Sequence, residues 1–311
     1  MKKLRRSKFR KMDKKLLDKY NVQGPRYTSY PPVPFWDKVA PTQEEWLQQV
    51  KESFQISNES EGISLYIHLP YCESLCTYCG CNTRITVNHA VEGPYVEAVL
   101  KEWDIYVEAL GEAPRIQEFH LGGGTPTFFS PQRLKRLVGG ILERCQPVEA
   151  PDYSFEGHPN NTTHEHLKAL FDLGFRRVSF GIQDFDPIVQ EVVNRVQSFD
   201  QCKWITEQAR AIGYTSINYD LIYGLPMQKM SSVQQTLSLV NELRPDRIAL
   251  YSYAHVPWVK PGQRSFTKLD LPSGEAKRAL YEYGRTFLLE HGYVEIGMDH
   301  FALPEEALTL A

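Results

Sequence analysis

No stretch of this 311-residue chain is long and apolar enough to cross a bilayer, and its amino terminus lacks the apolar core of a secretory signal. The expected address is therefore the cytoplasm. A formal net charge of -3 is too small for a nucleic-acid binder, which leaves small-molecule chemistry as the default. Low-complexity tracts and internal repeats are absent. Cysteine is scarce and unevenly spread: of six, four crowd between Cys72 and Cys81, while Cys145 and Cys202 stand alone in segments that read as helices. A disulfide framework would distribute them more evenly, so the cluster favours metal binding in a reducing compartment, and the two solitary thiols read as buried apolar groups.

The first twenty residues form a basic arm, with ten Lys and Arg residues between Lys2 and Lys19. From Ile63 onward, short β-branched or aromatic runs alternate with longer amphipathic stretches, the pattern of strand-helix units around a parallel sheet. Strands are expected at 63–70, 116–122, 153–157, 177–183, 216–223, 247–253 and 293–299. Helical spacing is clearest at 95–110, 131–145, 165–173 and 276–290. Gly111, Gly174, Gly213 and Gly292 follow such runs, where a chain turning out of a helix needs a left-handed residue. Six strand-helix units plus a seventh strand predict an α/β fold, an open partial (β/α)6 barrel, because closure would require eight. The segment before it is rich in proline and tyrosine. Residues 1–60 thus read as a mostly helical lead-in and 61–311 as the barrel, with the polar stretch Ser57 to Gly62 as the boundary.

Cys72, Cys76 and Cys79 follow the first strand, at the end where parallel barrels place their chemistry. Three thiolates spaced by three and two residues can wrap one face of a cubane iron-sulfur cluster and leave one iron open. An open iron can chelate the amino and carboxylate groups of a methionine moiety and pass an electron to the adjacent sulfonium. The competing reading is a four-cysteine structural zinc site, but zinc normally takes two separated pairs and here all four thiols share one loop. Nine histidines offer no pair at helical metal-ligand spacing; His120, His158, His255 and His300, near strand ends, read as hydrogen-bonded or surface groups.

Cys-x3-Cys-x2-Cys after a first strand resembles the cluster motif of the radical S-adenosylmethionine superfamily. Within it, Tyr66 to Cys72 together with Cys81 is similar to the oxygen-independent coproporphyrinogen III oxidases. The likeness recurs at Gly24 to Pro31, Gly122 to Thr127, Gly181 to Phe185, Asn194-Arg195, Asp220 to Pro226, Tyr253 to His255 and Gly297 to Phe301.

The resemblance implies a 4Fe-4S cluster on Cys72, Cys76 and Cys79 and two S-adenosylmethionine molecules. For the first it implies Tyr66, Gly123, Gly124, Thr125 and Glu156, the last toward ribose hydroxyls. For the second it implies Tyr78, Gln183, Arg195, Asp220 and Ala254. Gly157-His158-Pro159-Asn160 departs from the family's usual acid-proline pairing after Glu156.

The implied reaction converts coproporphyrinogen III to protoporphyrinogen IX by oxidative decarboxylation through a 5′-deoxyadenosyl radical, with an external electron donor and acceptor. The enzyme is expected to be a monomer without a membrane span or nucleic-acid partner. Tyr27, Tyr30, Phe35 and Trp36 are candidates for a substrate lid, and Arg26 for a propionate carboxylate. A haem-binding chaperone of the same superfamily is the alternative, disfavoured by Cys81, since such chaperones generally carry phenylalanine there. The resemblance also implies that the chain stops before a carboxyl-terminal helical region, so an inactive cluster-binding fragment is a third reading.

Overall fold

Alternation with a period of two dominates the strands, and it sorts their side chains onto two unlike faces. In the computed structural model, which describes Lys19, Pro31, Pro32, Phe35, Trp36 and residues 39–310, six parallel strands stand side by side in chain order. They are β1 (Ile63–Leu69), β2 (Ile116–Gly123), β3 (Asp152–Gly157), β4 (Arg177–Gln183), β5 (Ser216–Tyr223) and β6 (Arg247–Ser252). Each neighbouring pair runs parallel, so every link is a crossover through helix.

The helices carrying those links are α1 (Gln43–Ser57), ahead of β1, then α2 (Glu92–Leu110), α3 (Pro131–Leu142) and α4 (His164–Asp172). They are followed by α5 (Pro187–Val192), α6 (Phe199–Ile212), α7 (Met230–Leu243) and α8 (Gly274–Glu290). Local chemistry sets their starts. Thr42 and Glu45 form a reciprocal capping box at α1, Thr163 caps α4, and the Asp186 carboxylate accepts from the Ile188 and Val189 amides where Pro187 opens α5. The four glycines expected to end helices all take positive φ.

The helix-facing side of the sheet is apolar and sealed. Leu69, Phe119, Leu121, Phe155, Phe180, Ile217, Tyr219 and Ile248 are all fully buried there, each stabilising the fold by roughly 1.5–3 kcal/mol relative to exposure. The opposite, concave side carries Tyr66, His68, His120, Ser154, Glu156, Ser179, Asn218 and Asp220, tied together by hydrogen bonds rather than by packing.

The seventh strand departs from expectation. β7 (Val294–Gly297) is shorter than 293–299 and does not join β6 as a further parallel strand. Gly297, Met298 and Asp299 all take positive φ and reverse the chain, so β8 (His300–Ala302) enters antiparallel to β6 and carries β7 at the sheet edge. A short helix, α9 (Ala307–Leu310), follows. Between β6 and α8 the chain makes a long excursion, 253–273, that buries Tyr253 and Phe266 against Val189, Val193 and Leu225.

Of the lead-in, α1 lies along α2, with the Trp46 indole donating to the Tyr106 hydroxyl at 3.0 Å. The basic arm before Lys19, Arg26, Tyr27 and Tyr30 fall outside the described residues. Phe35 and Trp36 are largely exposed. No helix among the described residues is long and apolar enough to cross a membrane.

Candidate functional site

The carboxyl ends of β2 to β5 and the loop after β1 enclose a cavity of about 460 Å³. A larger groove, about 880 Å³, lies between α1, α2 and β1, but apolar side chains such as Val50, Phe54 and Trp103 dominate it and no set of reactive groups converges there. The smaller cavity is where the chemistry gathers. Cys72, Cys76, Cys79 and Cys81 all line it, together with Tyr78, Gly123, Gly124, Thr125, Glu156, Gln183, Arg195 and Asp220.

The cysteine loop is closed at its base and pinned along its length. Tyr71–Cys72 pairs in parallel with Arg84–Ile85, the Arg84 amide donating to Pro70 and the Thr86 amide to Cys72. Farther out, the Asn161 amide group donates to the Glu73 carboxylate at 2.9 Å, the Asn194 side chain to the Leu75 carbonyl at 2.8 Å, and the Thr77 backbone amide to Val193 at 3.0 Å. The loop is thus held from β3's end on one side and from the segment after α5 on the other. Two of the thiols have polar company: Thr125 Oγ1 is 3.2 Å from Cys72 Sγ, and Arg195 Nη1 points at Cys76 Sγ from 3.6 Å.

Close approach explains the glycine turn. A Cβ on Gly124 would sit 2.6 Å from the Pro70 carbonyl oxygen, and one on Gly123, whose φ is +120°, would sit 2.8 Å from the His68 ring. The turn therefore lies directly against the start of the cysteine loop, with the Gly124 amide bonded to Leu69 and the Thr125 amide to Tyr71. Glu156 accepts from the Gly123 amide at 3.2 Å and stands 3.6 Å from His120 Nε2.

Across the cavity, Asp220 accepts from Ser179 Oγ at 3.0 Å and Asn218 Nδ2 at 2.9 Å, and burial pushes its carboxyl up to about 6. Burial first, then the Arg195 charge, lowers the His158 imidazole to about 3 and keeps it neutral. The Cys81 thiol, which donates a hydrogen bond to the Cys79 sulfur, is held protonated while Cys79 is drawn down to about 6.

Among the residues the sequence pointed to, Tyr66 and Ala254 are not in the cavity wall. Tyr66 lies deeper on β1, its hydroxyl 3.1 Å from His68 Nδ1 and its ring stacked on His120. Ala254 is exposed beyond β6, its carbonyl accepting from Gln263. Conversely, Glu73, His158, Asn160, Asn161, Ser179, Gly181 and Asn194 line the cavity without having been singled out as ligands. Ser179 and Gly181 share Gln183's parity on β4 and could have been found by alternation. The others sit in loops at the carboxyl ends of strands, where only the general placement of active sites points to them.

The donor set fits a cubane. Three thiols from one closed loop reach one cavity, two of them beside groups that donate to sulfur, an arrangement that stabilises reduced clusters. Among the described residues, no three His, Cys, Asp or Glu side chains are drawn together tightly enough to hold a single ion, whereas a cubane distributes its thiolates over separate irons.

Comparison with known proteins gives the same answer. The chain is 38% identical over 302 residues to an oxygen-independent coproporphyrinogen III oxidase of Pseudomonas aeruginosa, covering 96% of this chain and 65% of the relative. It is 40% identical over 305 residues to one from Helicobacter pylori, with coverages of 96% and 65%. The solved structure of Escherichia coli coproporphyrinogen III oxidase superposes with a TM-score of 0.86 at 36% identity, covering 95% of this chain and 65% of that one. The chain thus spans about two thirds of the length of these relatives. Residues 66–240 match the model of the Radical SAM superfamily, and the chain belongs to that family, whose cofactors are a 4Fe-4S cluster and S-adenosylmethionine.

Proposed function

We propose that this chain forms the catalytic core of an oxygen-independent coproporphyrinogen III oxidase, which oxidatively decarboxylates coproporphyrinogen III to protoporphyrinogen IX in haem biosynthesis. The observation carrying this reading is the convergence of Cys72, Cys76 and Cys79 with the Gly123–Thr125 turn, Glu156 and Asp220 on one cavity. It is supported by identity to proteins of that name along 96% of the chain.

When bound, the cluster and S-adenosylmethionine supply one-electron cleavage of a carbon-sulfur bond and hydrogen-atom abstraction from a substrate propionate. Cys72, Cys76 and Cys79 hold the cluster, and the Thr125 hydroxyl and Arg195 guanidinium donate toward sulfur. The Gly123 to Thr125 turn, with no side chains at its first two positions, admits the amino acid end of one S-adenosylmethionine. Glu156 accepts from its ribose hydroxyls, and Tyr66 backs the site from below. Tyr78, Gln183, Arg195 and Asp220 serve a second molecule, matching a substrate with two propionates to convert.

An external one-electron donor and a final acceptor complete the balance. The reaction is taken to be cytoplasmic and the enzyme to act as a monomer; four cysteines crowded into one loop, rather than spread as a disulfide framework, support a reducing compartment.

The test is anaerobic. Protein reconstituted with iron and sulfide is incubated with coproporphyrinogen III, S-adenosylmethionine, a low-potential reductant for the cluster and an added one-electron acceptor for the substrate radical. Carbon dioxide and protoporphyrinogen IX are the expected products. Stoichiometric haem uptake without decarboxylation would overturn the reading.

A further inference from the structure

One polar network touches the cavity wall only through residues already assigned, yet it decides where they stand. Register between β4 and β5 slips after Gly181, so that Gly181 faces Asp220 while Gln183, at φ +66°, faces Leu221. The slip is a bulge. The Asp184 backbone amide donates to the Ile182 carbonyl at 2.8 Å, and side chains from beyond α5 donate to both the Gly181 and the Ile182 carbonyls. Gln197 Nε2 donates to the Ile182 carbonyl at 2.5 Å and to Gly181 at 3.3 Å, while Arg195 Nε and Nη2 also donate to Gly181, at 3.1 and 2.5 Å.

Gln197 is itself locked. It is 4% exposed, its backbone amide donates to Gln190 Oε1, and Gln190 Nε2 donates to the backbone carbonyls of Gln197 and Asp184. Among the described residues its own Oε1 has no hydrogen-bond partner. The side-chain donor of this buried amide is shared between the two carbonyls at the slip, which ties their positions to that of the segment after α5.

We propose that Gln197 is a positioning residue: it holds the β4 bulge open, and thereby sets the spacing between Gln183 and Arg195 that receives the second S-adenosylmethionine. The inference rests on the two-site reading above. Gln183 Nε2 and Arg195 Nη2 would lie 2.6 and 2.7 Å from a Cβ at Gly181, so the three positions form one tight cradle with no slack for a relaxed bulge.

Equilibrium dialysis of radiolabelled S-adenosylmethionine against cluster-loaded, unreduced protein tests this without turnover. Gln197→Met should keep full iron content and bind one equivalent normally, while the second weakens by about tenfold or more. Gln197→Glu should bind the second equivalent at low pH, where a protonated buried carboxyl still donates to Ile182, and lose it as the pH rises and the acid ionises.

Thr206→Val is the control, because it removes a buried hydroxyl pair with Tyr219 in the neighbouring helix layer without touching the bulge. Wild-type binding of both equivalents by both Gln197 variants at every pH would overturn the proposal, as would equal weakening in Thr206→Val. Retention of both equivalents by Gln183→Ala and Arg195→Ala, or a wild type that binds only one, would instead overturn the two-site reading.

Discussion

The six parallel strands present two faces built from the same backbone and almost nothing else in common. Toward the helices, Phe119, Phe155, Phe180 and Ile248 are sealed in an interior in which any apolar residue of similar volume would serve. Toward the concave side, His120, Glu156, Ser179 and Asp220 are spaced by hydrogen bonds, and substitution there changes chemistry before it changes stability. Strand periodicity makes this division possible: one residue in two is free to be chosen for function because the other anchors the fold.

The division is broken most sharply by deleting a cluster ligand. Cys76→Ala should abolish iron retention and all cofactor cleavage while leaving the melting temperature of the iron-free protein nearly unchanged. Iron and sulfide analysis and calorimetry check the two halves. Cys81→Ser provides the internal contrast: it lines the same cavity but is expected to retain the cluster, so loss of iron in both variants would show that the loop uses a different ligand set.

The opposite experiment acts on the helix face. Phe180→Ala leaves a cavity on the helix side of the sheet and should destabilise by about 3–5 kcal/mol in denaturant unfolding, with cluster content per folded molecule unchanged. If iron content fell in proportion to stability, the two faces would not be separable.

Much of this division is legible in the sequence. Residues 177–183 and 216–223 give their strand limits outright, because apolar residues alternate throughout the first run and from Ile217 to Leu221 in the second. The cysteine loop is equally plain, since four thiols in ten positions have few chemical uses. What escapes is whatever depends on a single backbone torsion. Met298 and Asp299 turn the last strand back on itself at positive φ, a conformation that neither side chain announces, so an expected seventh parallel strand becomes an antiparallel edge. The bulge after Gly181 is hidden for the same reason. Ala254 and Tyr66 show the converse limit: a resemblance transfers residue positions, but only the structure shows which of them reach the cavity wall.

Acids buried on both sides of β4 and β5 make the comparison depend on pH. Asp184, 2% exposed behind the sheet, is raised by burial to about 6 from 3.8, even though Asp186, Gln228 and Thr236 donate to it. A raised acid binds its proton more tightly when folded, so stability falls as the pH climbs from about 4 to about 6 and stays lower above. At about 1.4 kcal/mol per unit the full effect is on the order of 3 kcal/mol. Asp184→Asn should roughly halve the slope in a plot of unfolding free energy against pH, because Asp220, raised to about 6 as well, contributes over the same range, whatever constant offset the altered hydrogen bonds add. An unchanged slope would locate the titration elsewhere, with Asp220 on the concave side the next group to examine.

A smaller effect on stability than that of Phe180→Ala is expected where the two faces meet. Gly124 ends the β2 turn, and a Cβ there would meet only backbone: the Pro70 carbonyl oxygen and carbon at 2.6 and 2.7 Å and the Tyr71 oxygen at 2.9 Å. Backbone cannot swing aside as a side chain can, so Gly124→Ala must push the start of the cysteine loop outward, at about 1–3 kcal/mol by analogy with overpacked interiors. The fold survives such a cost, but the Thr125 contact to Cys72 at 3.2 Å does not survive the displacement. Gly139→Ala, in α3 with nothing within 4 Å of the added methyl, is the matched control. Cluster incorporation should fall in the first variant and not in the second. Equal incorporation would mean that the loop shifts as a unit and that its internal geometry, rather than its seat on the glycine turn, fixes the three sulfurs.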